Sequence, residues 1–498
     1  MRAHYYLGLA IILSVLNILE AKCKKCFPPD FIWGVSSSAY QVEGAWNTSG
    51  KGENIWDWYT HTYPEKIADG NNGDIATDSY GKWREDVELV RDLGVGFYRF
   101  SLSWARILPD GTTGYVNQAG VDYYLNIIKA LKEHHIEPLV TIYHWDLPLT
   151  LLHQGGWLNK TMADRFAEYA TLCFELFGPY VKHWVTVNEP YIHCYNAYGT
   201  GLHAPGVNES GTATYKCLYT CALAHAKAYR VYQGRFKEQQ NGQVGPVLAC
   251  SWFAPLTNST EDVLTAENAL LWDLGLVADP LVHGNWPQTT IDRIGNLSSL
   301  QGFNSSRLPE FSDKEKLLMK GSYDFLALNY YTTDIVTPIP NVSSIELTTI
   351  SYDIDKNFSP SYDPKWPQAA SPWLRSNPIG LRNTLNWLKD RYGGPRIFIT
   401  ENGWSEKQGI LNDTARVDYI KGHLCNVLRA SRMDNVNVIG YFYWSLLNSY
   451  EWTAGYTELF GLVEVDFQNP DRTRTPKESY YYYKNVAETN CLDYCPFR

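Results

Sequence analysis

Apolar runs rich in β-branched and aromatic residues recur along the whole chain, and segments with helical spacing separate them. Between residues 121 and 131, apolar side chains return every three or four positions, which is the spacing of one helix face. A second such face precedes Gly94, a typical residue for ending a helix. The apolar runs predict eight strands, at 31–36, 96–101, 138–143, 183–187, 246–251, 324–328, 397–400 and 438–443.

Strands that are apolar on both faces and alternate with helices indicate a parallel sheet covered by helices. Eight such units over nearly the whole chain favour an α/β fold, a single (β/α)8 TIM barrel with extended βα loops, over an open doubly wound sheet. Neither GxGxxG nor GxxxxGK[ST] follows the first strand, which weakens a nucleotide-binding alternative. The region from about 340 to 380, rich in Pro, Ser, Asp and Tyr, is predicted to be a long surface loop.

Composition narrows the choice of partners. The 498 residues carry a net charge of −10, and the pI is near 5.7, which argues against nucleic acid or an anionic membrane surface. The 18 Trp and 36 Tyr suit a large core, but aromatic rings with polar edges also suit sugar rings. No motif requires a cofactor or a metal.

Residues 1–21 predict a secretory signal peptide, with a basic start, a mostly apolar stretch and the small Ala21 before charged residues. An uncleaved signal anchor is the alternative. No second hydrophobic span follows, so we expect a folded domain at 22–498 that is secreted or lumenal and does not span a membrane. Asn-X-Ser/Thr sequons fit this route and predict N-glycans at Asn47, Asn159, Asn208, Asn258, Asn296, Asn304, Asn341, Asn357 and Asn412.

The ten cysteines also fit an oxidising compartment. Two of them follow the predicted signal peptide and two lie near the other end of the chain, so they either join the termini or close local loops. A zinc site is the alternative for these four, Cys23, Cys26, Cys491 and Cys495. Cys217 and Cys221 have helical spacing, and we predict that they are buried free thiols.

Polar residues gather where the predicted strands end, which is where a (β/α)8 barrel forms its active site. Glu189 follows the fourth strand, in WVTVNEP, and Glu401 follows the seventh, in ITENGW, where Asn402-Gly403 predicts a sharp turn. Hydrolysis of an acetal needs such a pair of carboxyl groups, one at the anomeric carbon and one at the departing oxygen. The alternative is two unrelated acids at strand ends.

The motifs WVTVNEP, ITENGW and YQVEGAW together resemble glycoside hydrolase family 1, the β-glucosidase group with plant, insect and mammalian members. The resemblance runs from about Phe27 to Tyr483, and the motifs stand in order along the strand ends. It implies a (β/α)8 barrel, similar to secreted animal members, that hydrolyses terminal β-D-glucosyl residues with retention of configuration. A small-molecule β-glycoside or oligosaccharide is the substrate that it implies.

Carried onto this chain, the resemblance implies that Glu401 is the nucleophile and Glu189 the general acid/base, with their carboxyl groups about 5–5.5 Å apart. Arg99 and Tyr331 would hold the nucleophile ionised. Trp373, in SPWLR, would be a platform for the aglycone. The residues that match sugar-binding positions are Gln41, His144, Asn188, Asn329, Trp444, Glu451 and Trp452.

The chain departs from the family pattern after the eighth strand, where Asn448, Ser449 and Leu459 replace Asp, Asn and Arg. Loss of the arginine is expected to alter the pocket rim, and it leaves the glycone open among glucose, galactose and fucose. The aglycone stays open too, whether an oligosaccharide, a cyanogenic, phenolic, terpene or alcohol group, or a sulfur-linked one. So do transglycosylation, a sugar-binding receptor-like barrel without turnover, and a homodimer.

Overall fold

The computed structural model describes residues 25–339 and 347–496. The predicted signal peptide, Cys23 and the sequon at Asn341 lie outside these ranges. Within them the strands are β1 (Ile32–Ser36), β2 (Phe97–Ser101), β3 (Glu137–Tyr143), β4 (His183–Val187), β5 (Gln243–Gly245), β6 (Val247–Pro255), β7 (Leu326–Pro338), β8 (Phe358–Ser361), β9 (Ile397–Glu401), β10 (Val438–Trp444), β11 (Val463–Val465) and β12 (Arg474–Pro476).

The α-helices lie between and around these strands. They are α1 (Ala39–Val42), α2 (Ile55–Thr62), α3 (Ser79–Leu93), α4 (Trp104–Ile107), α5 (Gln118–Glu133), α6 (Leu149–Leu152), α7 (Met162–Phe177), α8 (Pro190–His193), α9 (Ala213–Arg235), α10 (Lys237–Gln240), α11 (Thr260–Leu270), α12 (Leu276–His283), α13 (Gln288–Leu300), α14 (Asp313–Met319), α15 (Tyr352–Lys356), α16 (Ile379–Tyr392), α17 (Thr414–Met433) and α18 (Glu478–Thr489). Short π-helices span Cys194–Gly199 and Leu271–Gly275, and 3-10 turns span Pro64–Lys66, Gly156–Leu158 and Trp452–Ala454. None of the helices in the described ranges is long and apolar enough to cross a membrane.

The main sheet is parallel and closes on itself. Its strands neighbour one another in the order β5-β4-β3-β2-β1-β10-β9-β7-β6. The two ends of this order, β5 and β6, are halves of one strand that only Pro246 separates, a residue with no backbone N–H to give to a sheet. Taken together, they occupy one of eight positions around the sheet, so the predicted (β/α)8 barrel is confirmed.

The predicted helix faces pack against this barrel. Val121, Ile128 and Leu131 of α5 are buried, as their spacing predicts. Helix α3 ends at Gly94, whose φ of 76° is the left-handed conformation that glycine adopts readily at a helix end. The barrel interior is filled by apolar side chains from successive strands, which are Leu139, Val185, Val247, Phe325, Ala327, Phe398 and Phe442.

The structure corrects the extent of two predicted strands and one loop. The strand predicted at 246–251 is interrupted at Pro246 and extends to Pro255, and the strand predicted at 324–328 runs on to Pro338. The second half of β7 persists because β6 and the antiparallel β8 both pair with it. Region 340–380 is therefore more than a surface loop, since β8 lies within it and Asp355 of α15 is a buried ion-pair partner of Arg307.

Among the described residues the cysteines form three disulfides, and two of these involve residues near the chain ends. Cys26 bonds Cys491 and thus joins the termini, whereas Cys495 bonds Cys425 on α17. The zinc alternative is therefore wrong for the three terminal cysteines that the structure describes. Cys221 is a buried free thiol as predicted, but the prediction for Cys217 is wrong, because Cys217 forms a disulfide with Cys194.

Candidate active site

The predicted site residues converge at the carboxyl ends of the barrel strands. Because the strands are parallel, the residues that follow β4 and β9 lie at the same end of the barrel. A cavity of about 460 Å³ lies there. Every predicted site residue lines it except Arg99 and Gln41, which are fully buried behind its wall.

Glu401 is the last residue of β9, and both of its carboxylate oxygens accept hydrogen bonds. Arg99 on β2 donates from Nη1 to Oε1 over 2.5 Å, and Tyr331 on β7 donates from its hydroxyl to Oε2 over 2.7 Å. Arg99 is completely buried, so this charge-assisted bond lies in a medium that screens it weakly. Glu401 therefore has a fixed orientation at the cavity wall.

Glu189 stands at the junction of β4 and α8 in a left-handed conformation, with φ 46° and ψ 63°. This conformation is costly for a residue other than glycine, and Pro190 disfavours the helical conformation at the preceding residue. Asn329 on β7 donates a hydrogen bond to Glu189 Oε1 over 2.5 Å. Burial raises the pKa of Glu189, and the negative charge of Glu401 raises it further. Glu189 is thus disposed to carry a proton.

Asn188 connects the two glutamates. Its side-chain oxygen accepts hydrogen bonds from Arg99 Nη2 over 2.7 Å and from Asn329 Nδ2 over 3.2 Å. A continuous set of contacts therefore runs from Glu401 through Arg99, Asn188 and Asn329 to Glu189. His144 Nε2 lies 3.1 Å from Asn188 Nδ2, and burial, followed by the charge of Arg99, lowers the pKa of this histidine.

The other wall of the cavity carries a third acid, Glu451. Gln41 on α1 donates a hydrogen bond to Glu451 Oε2 over 3.0 Å. The same side-chain amide also donates to the Tyr450 carbonyl, which fixes the position of Gln41. Burial raises the pKa of Glu451, and the charge of Glu458 is the largest electrostatic contribution to this rise. Trp444 and Trp452 each stack on the His144 ring, with centroids 5.8 Å from it. Polar and aromatic side chains therefore share this wall.

Trp373 lies at the cavity mouth. Its side chain is half exposed, its ring meets Tyr331 edge-on, and it stacks on Phe460 with centroids 6.5 Å apart. Its exposed ring offers an apolar face with a polar edge at the cavity mouth. The sequence analysis did not identify Phe460 or its neighbour Glu458, which also lines the cavity, although both flank the atypical Leu459.

The structure corrects the turn predicted after Glu401. Gly403 does not adopt a positive φ; a Cβ at this position would lie 2.0 Å from the Trp444 carbonyl oxygen, so close packing requires the glycine. Asn402 serves the same junction, because its side chain donates to the Tyr330 carbonyl and accepts from the Tyr441 hydroxyl. These contacts join β7, β9 and β10 beneath the glutamate.

Leu459 does not reach the cavity. It is fully buried, and its carbonyl accepts a hydrogen bond from the buried Arg416 over 3.1 Å. Its backbone also pairs with Glu406, which holds the rim segment in place. The expected alteration of the rim is therefore indirect, through the neighbours of Leu459 and not through its own side chain.

One group of side chains has the spacing of a metal site among the residues that the structure describes. It consists of Cys194, Cys217 and Cys221, all buried and away from the cavity. Cys194 and Cys217 form a disulfide, so their sulfur atoms carry no thiolate for a metal.

In acetal hydrolysis two carboxyl groups have unequal tasks, and here one is held by an arginine while the other has a raised pKa. With the fold, this places the protein in the class of (β/α)8-barrel glycosidases. Comparison with known sequences agrees, since the model of glycosyl hydrolase family 1 matches residues 23–492. The chain belongs to glycosyl hydrolase family 1.

Similar proteins come from insects, mammals and plants. Myrosinase 1 of Brevicoryne brassicae is 44% identical over 93% of this chain and 98% of its own length. A cytosolic β-glucosidase of Homo sapiens is 40% identical over 94% of this chain and 99% of its own. Among solved structures, a mutant rice β-glucosidase in a covalent complex with glucose is 38% identical, with a TM-score of 0.87 over 92% of this chain and 98% of its own.

Proposed function

We propose that the protein is a retaining β-glucosidase that hydrolyses terminal β-D-glucosyl residues through a covalent glycosyl-enzyme. Family membership makes it a retaining O-glycosyl hydrolase. The observation that carries the assignment of roles is the unequal environment of the two glutamates. Glu401 accepts from Arg99 and Tyr331, whereas burial and the charge of Glu401 raise the pKa of Glu189.

In the first step a carboxylate oxygen of Glu401 attacks the anomeric carbon. The bond from this carbon to the aglycone oxygen breaks, its electron pair stays on that oxygen, and the oxygen takes the proton of Glu189. The Tyr331 hydroxyl and Arg99 hold the attacking carboxylate in line. A glycosyl ester on Glu401 and a free aglycone result.

In the second step the Glu189 carboxylate accepts a proton from water. The water oxygen bonds to the anomeric carbon, and Glu401 departs as a carboxylate, so two inversions give net retention. An alcohol can replace water in this step and give a transglycosylation product through the same residues. Analysis of products with a competing alcohol measures the balance between the two reactions.

The remaining cavity residues are proposed to bind the glucosyl group. Glu451 offers a carboxyl group that Gln41 positions, and His144, Asn188 and Asn329 add donors and acceptors for ring hydroxyls. Two tryptophans, Trp444 and Trp452, supply apolar surface to the sugar ring. Trp373 at the mouth is proposed as the aglycone platform.

The experiment that tests this function compares Glu401→Gln with the exposed Glu133→Gln, a matched change at the end of α5. We expect Glu133→Gln to retain wild-type hydrolysis of an aryl β-glucoside and Glu401→Gln to lose about 10⁴-fold or more in kcat. Product anomers observed by NMR immediately after mixing should be β. Unchanged turnover in Glu401→Gln would overturn the mechanism, and calorimetric sugar binding to a wild-type protein without turnover would indicate a binding module instead.

We also propose that the protein is secreted, that residues 1–21 are removed and that it carries N-glycans. Three disulfides fit an oxidising compartment. Six of the predicted sequon asparagines are exposed in the described ranges, at Asn47, Asn208, Asn258, Asn296, Asn304 and Asn412. Mass spectrometry of protein from the medium of expressing animal cells, before and after enzymatic deglycosylation, tests both points. The homodimer stays a prediction, and the molar mass of the purified protein from light scattering tests it.

A further inference from the structure

The wall of the active-site cavity is rich in acidic side chains. Five carboxyl groups line it, from Glu189, Asp273, Glu401, Glu451 and Glu458. Within residues 25–339 and 347–496, no Lys or Arg lines it. Residues 340–346 read PNVSSIE, so that segment contains no basic residue either.

The histidines of the cavity do not offset these acids. His144 and His203 both line it, and burial lowers the pKa of both side chains, to about 3 for His203. Both histidines are therefore less readily protonated than a free imidazole. In the described part of the chain, Arg99 is the cation that contacts a lining carboxylate, and Glu401 already engages its charge behind the wall.

Two of the five acids have no part in the proposed bond-making steps or in the proposed binding of the glucosyl group. Glu458 is partly exposed and forms no ion pair with the described residues, yet its charge acts on Glu451. Asp273 lies beside Cys250 and Ser251, and the nearby Lys356 is itself paired with Asp353 over 2.7 Å. The unpaired Glu458 therefore adds negative potential to the cavity, whereas burial raises the pKa of Asp273 to about 7 and the charge of Lys356 partly offsets the charge of this carboxylate.

We propose that the cavity selects its substrate by charge, accepting β-glucosides with neutral or cationic aglycones and rejecting those with anionic aglycones such as sulfated or carboxylated groups. This inference rests on the proposed glucosidase function and concerns the group that is released. An anionic aglycone must approach the unpaired Glu458 beside a wall that offers it no Lys or Arg in the described ranges, and like charges repel in such a partly desolvated space. A cationic group is attracted by the same carboxylates and can also lie over the face of Trp373.

The test uses aryl β-glucosides that differ in one para substituent, carboxylate, carboxamide or trimethylammonium, and measures kcat/KM at low and high ionic strength. For the wild-type protein we expect the anionic substrate to react at least about tenfold more slowly than the carboxamide, with the difference shrinking as salt rises. We expect Glu458→Gln to narrow the difference severalfold and the surface change Glu133→Gln to leave it unaltered. The chemistry of each leaving group is the same in all three proteins. A change between proteins in the ratio of kcat/KM for the anionic substrate to kcat/KM for the carboxamide therefore reports charge alone.

The outcomes separate the two proposals. Equal rates for anionic and neutral substrates, or a preference in Glu458→Gln identical to that of the wild type at both salt concentrations, would overturn the charge selection and leave the glucosidase function standing. Failure of the wild-type protein to cleave even the carboxamide would instead count against the glucosidase function. If Glu458→Gln does not fold, the salt dependence of the wild-type ratio decides the question.

Discussion

Arg99 donates a hydrogen bond to Glu401 over 2.5 Å, although the two residues stand 302 positions apart in the sequence. Strands β1 and β10 lie between the strands that carry them. The same guanidinium also donates to Asn188 and to the Thr141 hydroxyl. A single buried side chain thus sets the position of the proposed nucleophile relative to the strand that carries the proposed acid.

Arg99→Lys should lower activity although it keeps the positive charge. A lysine ammonium cannot donate to Glu401, Asn188 and Thr141 together with the fixed geometry of a guanidinium. We expect kcat/KM for an aryl β-glucoside to fall by about 10²–10³. Circular dichroism should show a folded protein, and a variant with full activity would mean that charge alone suffices.

Glu189→Gln should make activity depend steeply on the leaving group. A poor leaving group needs the proton of Glu189, whereas a strongly acidic phenol departs without it. We expect kcat/KM to fall by about 10²–10⁴ for an alkyl glucoside and far less for a dinitrophenyl glucoside. With the dinitrophenyl substrate we also expect the covalent glycosyl-enzyme of this variant to accumulate, which mass spectrometry detects. An equal loss with both substrates would contradict the role of Glu189 as acid.

The alkaline limb of the pH–rate profile should follow Glu189. Its pKa is raised by burial and by the charge of Glu401, so the protonated form persists toward neutral pH and is lost as the pH rises further. We therefore expect kcat/KM of the wild type to fall on the alkaline side. Glu189→Gln, assayed with the dinitrophenyl glucoside, should lack this limb, and a limb unchanged in the variant would assign it to another group.

The contribution of Glu189 to stability should fall as pH rises, because a carboxyl group with a raised pKa binds its proton more tightly in the folded than in the unfolded chain. The contribution of Glu189 is fully present below its ordinary pKa of 4.5 and is lost as the pH passes through the raised folded value; Glu451 acts in the same direction. The drop in Tm between pH 5 and pH 8 should therefore be smaller, by on the order of a few degrees, in Glu189→Gln than in the wild type. Differential scanning calorimetry measures it, and an equal drop in both proteins would exclude this linkage.

The sequence alone determined how the barrel strands and helices succeed one another along the chain, because the apolar period of a strand or helix is a local property of neighbouring residues. It also determined which polar residues stand at strand ends, including Glu189 and Glu401. The proposal that Glu401 is the nucleophile and Glu189 the acid/base followed, at the level of sequence, only from the resemblance of their motifs to a family. The interruption at Pro246 and the long β7 escaped prediction, because pairing with distant strands decides where a strand stops.

The tertiary structure alone decided how the site is held together. Arg99 and Gln41 proved to lie behind the cavity wall, Gly403 proved necessary for the close approach of Trp444, and Cys217 proved to pair with Cys194. The acidic cavity wall likewise combines residues from distant parts of the chain. Each of these relationships joins parts of the chain that only the closed barrel brings together, and hydrogen bonding, burial and charge act over distances in space and not along the sequence.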